Sequence, residues 1–258
     1  MKIGIALSGG GTRGIAHLGV IKALMENNIQ ISSISGVSAG AIVGGFISYG
    51  YHPEEVLEII LKTRLFKYLR PGISSTGLLK LEQLQVLLKQ YIKEDLFEDL
   101  KIPLTVSALN LKTGRINYFD SGPLIAPILA SSSIPVIFNP ILINGIQFID
   151  GGLAENLPVS PLKGSVDFIL ASHCNPINTE IQRLTIRTYI ERLLLITINN
   201  NAQHSLKEVD FVIEPPELKN IRWSDSSKAK LIFEMGYQHT LEVIPALKKK
   251  TRELNLDI

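Results

Sequence analysis

Four short runs of small and apolar residues, Ile3 to Leu7, Ile31 to Ser35, Leu104 to Ala108 and Phe168 to Ser172, are separated by stretches in which apolar residues recur every three to four positions. Short runs suit strands buried on both faces and the longer period suits helices, so the pattern predicts βα units around a largely parallel sheet. Val209 to Ile213 predicts a further strand. Arg115 to Asp120 and Ile141 to Ile149 read as hairpin strands, the second turning at Asn144-Gly145, a pair that accepts positive φ. Predicted helices cover Ile15 to Glu26, Ala39 to Ser48, the stripe Leu81, Leu84, Leu88 and Tyr91 after the cap-like Ser74-Ser75-Thr76, Ile181 to Ile198, and Ser227 to Leu254 with a kink at Pro245. Their apolar stripes are expected to face the core. No internal repeat and no long linker is visible, so the 258 residues are expected to form one α/β domain.

Composition narrows the class. Hydrophobic residues make up 45% of the chain and charged residues 19%, enough apolar material for a sizeable core and too little charge for a disordered chain. The 26 Lys and Arg against 24 Asp and Glu leave a formal charge of +2, which excludes a nucleic-acid footprint and leaves weak contact with an anionic membrane surface open. One cysteine, Cys174, rules out an internal disulfide and a multi-cysteine metal site, and no His pair has ligand spacing. The apolar start, Ile3 to Leu7, is too short for a secretory signal. Ile29 to His52 and Ala130 to Ile149 are apolar enough to need a membrane check. Turn residues interrupt the second, and the first carries five serines without aromatic or basic flanks despite its G-x-x-x-G repeats at Gly36, Gly40 and Gly44. The expectation is a cytoplasmic chain, peripheral at a membrane at most, with non-classical export left open.

Three glycine-bearing sites carry candidate chemistry. Gly9-Gly10-Gly11-Thr12-Arg13-Gly14 lies between a predicted strand and a predicted helix, where backbone amides converge on negative charge. Its G-x-G-x-x-G reading as a dinucleotide loop lacks the acidic ribose ligand expected about 20 residues on, since that region is Ser32 to Gly36. The Walker A reading fails because Ile15 and Ala16 follow Gly14. Anion or oxyanion binding and tight packing remain, and Arg13 is either a support for the loop or substrate, or a surface residue. Gly36-Val37-Ser38-Ala39-Gly40 has the spacing of a nucleophile elbow, in which small residues flank a serine on a strained strand-to-helix turn. Asp150-Gly151-Gly152 follows a predicted strand and reads alone as an ordinary turn. A Ser-His-acid triad needs a late histidine. His173 is the one candidate, because His204 and His239 lie in a polar stretch and on a helix surface, and His17 and His52 read as structural.

Together the three sites resemble the patatin-like phospholipase family, whose pattern is G-G-G-x-R/K-G, then G-x-S-x-G, then D-G-G or D-G-A. Ala130-Ser131-Ser132-Ser133-Ile134-Pro135 with Phe138 and Pro140, and Glu234-Met235-Gly236-Tyr237 near the C-terminus, are similar to further family segments, and the likeness spans at least Ile3 to Pro158. The resemblance implies a three-layer α/β/α sandwich with a central, mainly parallel sheet. It implies Ser38 as nucleophile and Asp150 as its direct base, without histidine. It further implies an oxyanion hole from Gly10 and Gly11, with Gly9 shaping and Arg13 supporting the loop, and Gly14, Gly36, Gly40, Gly151 and Gly152 as motif glycines. No metal or cofactor is required. The substrate implied is a lipid carboxylic ester. Val37, Ile134, Val136, Ile137 and Phe138 are open between an acyl cleft and the core.

Overall fold

The computed structural model describes residues 1–63, 81–135, 137–180, 185–254 and 256. Among them, one sheet of eight strands forms: β1 (Ile3–Leu7), β2 (Ile31–Gly36), β3 (Leu104–Asn110), β4 (Ile116–Phe119), β5 (Ile141–Ile143), β6 (Ile146–Asp150), β7 (Phe168–Ser172) and β8 (Phe211–Ile213). The order is β5-β6-β3-β2-β1-β7-β8, with β4 also on β3. Pairings from β3 through β8 are parallel, whereas β4, β5 and β6 are antiparallel. The β5–β6 turn is the expected one, with Asn144 and Gly145 at φ 49° and 77°.

Among the described residues seven α-helices accompany the sheet: α1 (Ala16–Glu26), α2 (Ala39–Tyr49), α3 (Pro53–Thr63), α4 (Glu82–Tyr91), α5 (Ile125–Ser131), α6 (Ile186–Leu206) and α7 (Ala229–Glu253). All five residues of β1 and all five of β7 are buried, so both faces of the sheet centre are covered. Alternation along β1 separates the two sides. Ile3, Ile5 and Leu7 join the main core with residues of α1, α2 and α7. Ala6 faces a smaller cluster of Leu157, Val159, Leu162 and Ala202. The sandwich is therefore uneven, thick on one face and covered on the other by the 157–162 segment and α6.

Glycines set the helix distances. The G-x-x-x-G repeat lays α2 on the sheet: a Cβ on Gly40 would collide with the Leu7 carbonyl, and one on Gly44 would lie 3.0 Å from Leu104 Cδ1. Likewise a Cβ on Gly19 of α1 would lie 2.6 Å from the Tyr237 nitrogen, and one on Gly236 of α7 would lie 2.9 Å from the Ala16 carbonyl carbon. Backbones that approach this closely bury more chain without intervening side chains. No helix among the described residues is long and apolar enough to cross a membrane.

Two expectations need correction or restriction. The α6 stripe is not core, because Ile186, Tyr189, Ile190 and Leu193 are exposed. α7 runs from Ala229 to Glu253 with Pro245 inside it. Ser74-Ser75-Thr76, Val136 and the Ile181 end of the predicted helix lie outside the described residues.

Candidate active site

Register brings Ser38 and Asp150 together. β2 runs parallel to β3 and ends with Gly36 paired to Val106, while β6 runs antiparallel and ends with Asp150 paired to Ala108. Two strands that approach β3 from opposite directions thus deliver their C-terminal ends to neighbouring positions.

Ser38 occupies the turn from β2 into α2 at φ 54°, ψ −121°, a backbone region that costs a non-glycine residue of order 1–3 kcal/mol. Its neighbours must be small, since a Cβ on Gly36 would sit 2.6 Å from the Gly40 carbonyl oxygen. The segment 130–135 holds both sites. Ser131 Oγ accepts the Ser38 N–H at 2.8 Å, and the Ser133 carbonyl accepts the Asp150 N–H at 3.0 Å. The Asp150 carboxylate is buried beside the Ser38 side chain and accepts the Gly152 N–H at 2.8 Å. Burial pushes its pKa up to about 6, outweighing Ser38 and the Gly152 N–H, both of which favour the charged form. Gly151 and Gly152 permit this turn, because a Cβ would meet the Ser107 carbonyl at 2.9 Å or Asn156 Oδ1 at 2.8 Å.

The glycine loop lies alongside. A Cβ on Gly9 would be 3.0 Å from Ser38 Cβ, and one on Gly14 would be 2.5 Å from Ala39 Cβ, so the loop presses against the elbow at both ends. Gly11 has φ 56°. The Gly9 N–H donates to the Asn156 carbonyl at 3.2 Å. The Gly9 carbonyl accepts from Asn175 Nδ2 at 2.5 Å and from Asn156 Nδ2 and Cys174 Sγ at 3.4 Å. Because a trans peptide is planar, anchoring that carbonyl turns the Gly10 N–H the opposite way. The Gly10 carbonyl is held by the Arg13 N–H at 3.2 Å, which orients the Gly11 N–H in the same manner. Neither the Gly10 nor the Gly11 N–H has an acceptor among the described residues.

These groups line one cavity that opens to solvent. Its floor comes from the first 153 residues: Gly9 to Gly11, Arg13, Ser38, Ile134, Pro135, Asp150, Gly152 and Leu153. Most of its other wall comes from the C-terminal part, with Asn175, Leu194, Leu195, Ile198 and Trp223. Asn175 Oδ1 and Trp223 Nε1 are buried without partners among the described residues. The chemistry available is that of a serine on a strained turn, set beside a high-pKa carboxyl and two free amides in a largely apolar cleft.

The remaining candidates fall into place. Arg13 is not a surface residue; its Nε donates to the Ile221 carbonyl at 2.7 Å, tying the loop to the 221–223 segment, and burial lowers its pKa. His173 does not line the cavity; its Nδ1 meets Glu214 Oε1 at 2.6 Å. His17 is buried between Ser172 and the Ser8 carbonyl with its pKa lowered to about 4 by burial, His204 is exposed, and His239 is half-buried. Of the cleft candidates, Ile134 lines the cavity, whereas Val37 and Phe138 are core and Ile137 packs against the core. The Cys174 thiol is buried and its pKa is pushed up to about 11, so it is poorly reactive. Among the described residues no group of three or more His, Cys, Asp or Glu could hold a metal ion. Sequence reasoning missed Asn156, Asn175, Asn201 and Trp223. Asn201 accepts the Asn156 N–H and donates to the Gly152 carbonyl, linking α6 to the Asp150 turn.

The patatin-like phospholipase profile matches residues 5–163. An uncharacterised NTE family protein of Mycobacterium tuberculosis is 35% identical over 177 residues, covering 67% of this chain and 49% of that protein. Lysophospholipase NTE1 of Kluyveromyces lactis is 25% identical over 284 residues, covering 96% of this chain and 19% of that one. The chain thus spans about half the length of the mycobacterial relative and about a fifth of the fungal one. In fold, VipD from Legionella pneumophila is similar with a TM-score of 0.56 at 14% identity, over 95% of this chain and 67% of VipD. With its glycine loop, serine elbow and Asp-Gly-Gly turn assembled around one cavity, the chain belongs to the patatin-like phospholipase family.

Proposed function

We propose that the chain is a lipid acyl hydrolase of the phospholipase A, lysophospholipase or esterase type, using Ser38 and Asp150 as a two-residue machine. The observation that carries this reading is the Ser38 side chain set beside a buried carboxyl whose pKa is pushed up to about 6. An ordinary aspartate near 3.9 is a feeble base, and raising it toward neutrality strengthens it while leaving it mostly ionised at pH 7.

In the first step Asp150 accepts the Ser38 hydroxyl proton as Oγ forms a bond to the ester carbonyl carbon. The Gly10 and Gly11 amides hold the resulting oxyanion, a type of interaction whose loss typically costs about 3–4 kcal/mol in the transition state. The carbonyl re-forms, the ester C–O bond breaks, and the Asp150 proton passes to the leaving alcohol. Water then attacks the acyl-serine with Asp150 again taking a proton, and the carboxylic acid leaves as Ser38 regains its hydrogen. Every proton and charge is placed on protein groups, so the scheme is metal-independent. Gly9, Gly14, Gly36, Gly40, Gly151 and Gly152 shape the site, and Arg13 braces the loop. Ile134, Leu153, Leu194, Leu195 and Ile198 offer the acyl chain an apolar wall. The unpaired Asn175 Oδ1 and Trp223 Nε1 suit polar atoms near the ester.

The test is hydrolysis of a short-chain aryl ester and a fluorogenic phospholipid in EDTA by the wild type, Ser38→Ala and Asp150→Asn. Turnover of both substrates by the wild type, lowered at least about a thousandfold in each folded variant, is the expected result. Retained activity in Ser38→Ala refutes the assignment.

A further inference from the structure

α6 has two apolar faces in its first half. Glu191, Leu194, Leu195 and Ile198 point into the Ser38 cavity. On a helix with 3.6 residues per turn, Ile186, Tyr189, Ile190 and Leu193 share a different face. These four are 83%, 51%, 48% and 45% exposed. The same face continues as Thr197, Asn200 and His204, all exposed and polar, so the second half of α6 has the ordinary solvent-facing pattern and the first half departs from it. The departure coincides with the stretch that walls the cavity.

Charge at this end of the helix is biased toward cations. A second cavity beside α6 is lined by Arg192, Lys219 and Arg222 together with Glu180 and Glu191, and shares Arg13, Glu191, Leu195 and Trp223 with the first. Glu191 is already paired with Arg222 at 3.2 Å.

We propose that the Ile186, Tyr189, Ile190 and Leu193 stripe is a docking surface for an anionic phospholipid bilayer. The first half of α6 lies in the lipid interface with the Ser38 cavity directly behind it and the flanking cations at the headgroup level. An in-plane helix of this kind binds through buried apolar area plus attraction to anionic lipid. The inference deepens the acyl-hydrolase reading by naming the surface on which the substrate is met.

The full chain and its Ile190→Asp variant are sedimented with phosphatidylcholine vesicles, with and without phosphatidylglycerol, while turnover of the soluble aryl ester is followed in parallel. Ile190 lies outside both cavity linings, so soluble-ester turnover is expected to stay within about twofold and the far-UV spectrum to be unchanged. Wild-type binding is expected to favour the anionic vesicles, to weaken with salt, and to fall about tenfold or more in the variant. Equal binding by the variant, equal binding to neutral vesicles, or no wild-type binding to either overturns the proposal. So does a wild-type dimer in solution that Ile190→Asp dissociates, which assigns the stripe to a second copy. Vesicle binding by a wild type that hydrolyses no ester leaves docking standing and removes the hydrolase reading instead.

Discussion

Replacing Asp150 by Asn is expected to make the protein inactive and more stable. The folded-state pKa of about 6 lies above the ordinary value near 3.9, so the fold favours the protonated acid. A raised pKa contributes stability that is fully present below the unfolded value and is lost as pH rises through the folded one. At pH 8 the ionised carboxylate costs the fold about 3 kcal/mol relative to a neutral side chain, and at pH 4 less than about 1 kcal/mol. Asparagine has nearly the same shape, keeps an oxygen for the Gly152 N–H, and offers an amide to Ser38. Paired urea titrations of wild type and Asp150→Asn between pH 4 and 8 isolate this group, because the other titrations cancel in the difference. The variant is expected to lead by about 3 kcal/mol at pH 8, equivalent to about 5 °C in Tm for a chain of this size, and to match the wild type near pH 4. A difference that is constant with pH, or a wild type that gains on the variant as pH rises, refutes the account of how the base is tuned.

Other expectations follow from the same geometry. The kcat/KM for a soluble aryl ester rises about tenfold per pH unit and levels off near pH 6, as Asp150 ionises; a flat profile from pH 4 to 8 excludes Asp150 as base. Asn175→Ala releases the Gly9 carbonyl and lets the Gly10 amide wander, lowering kcat about tenfold with little change in the KM of a short aryl ester; an unaltered kcat shows that the loop holds itself. Gly40→Ala drives a methyl into the Leu7 carbonyl and is expected to cost about 3 kcal/mol or more in a urea titration; a wild-type midpoint means that α2 can shift on the sheet.

Much of the fold was legible because local chemistry and burial agree. β7 has the predicted bounds, Phe168 to Ser172, since it is a run of small and apolar residues buried on both faces. The β5–β6 turn is fixed by two residues that accept positive φ. α3 was missed although Pro53 opens it and Glu54 and Glu55 occupy its first turn, signals that were present but sparse. At the site, the backbone-shaping glycines declare themselves because their spacing is itself the geometry. Asn156, Asn175 and Asn201 do not, since each makes its hydrogen bond to a partner that lies 45 to 166 positions away and nothing local marks it. Arg13 stayed open between two readings for the same reason: in sequence it opens a helix, and the 221–223 segment crossing above it makes it buried. The α6 stripe shows the limit of periodicity, which marks an apolar face without saying whether protein lies against it.

The division of the cavity between two parts of the chain has an evolutionary consequence. The residues assigned to bond breaking fall before residue 153, and most of the far wall comes from 175–223. Reaction and selectivity are then separately inheritable. Relatives that keep the early segment and diverge in the later one are expected to perform the same acyl transfer to water on different esters, so the repertoire of such a scaffold can broaden without its machinery being reinvented.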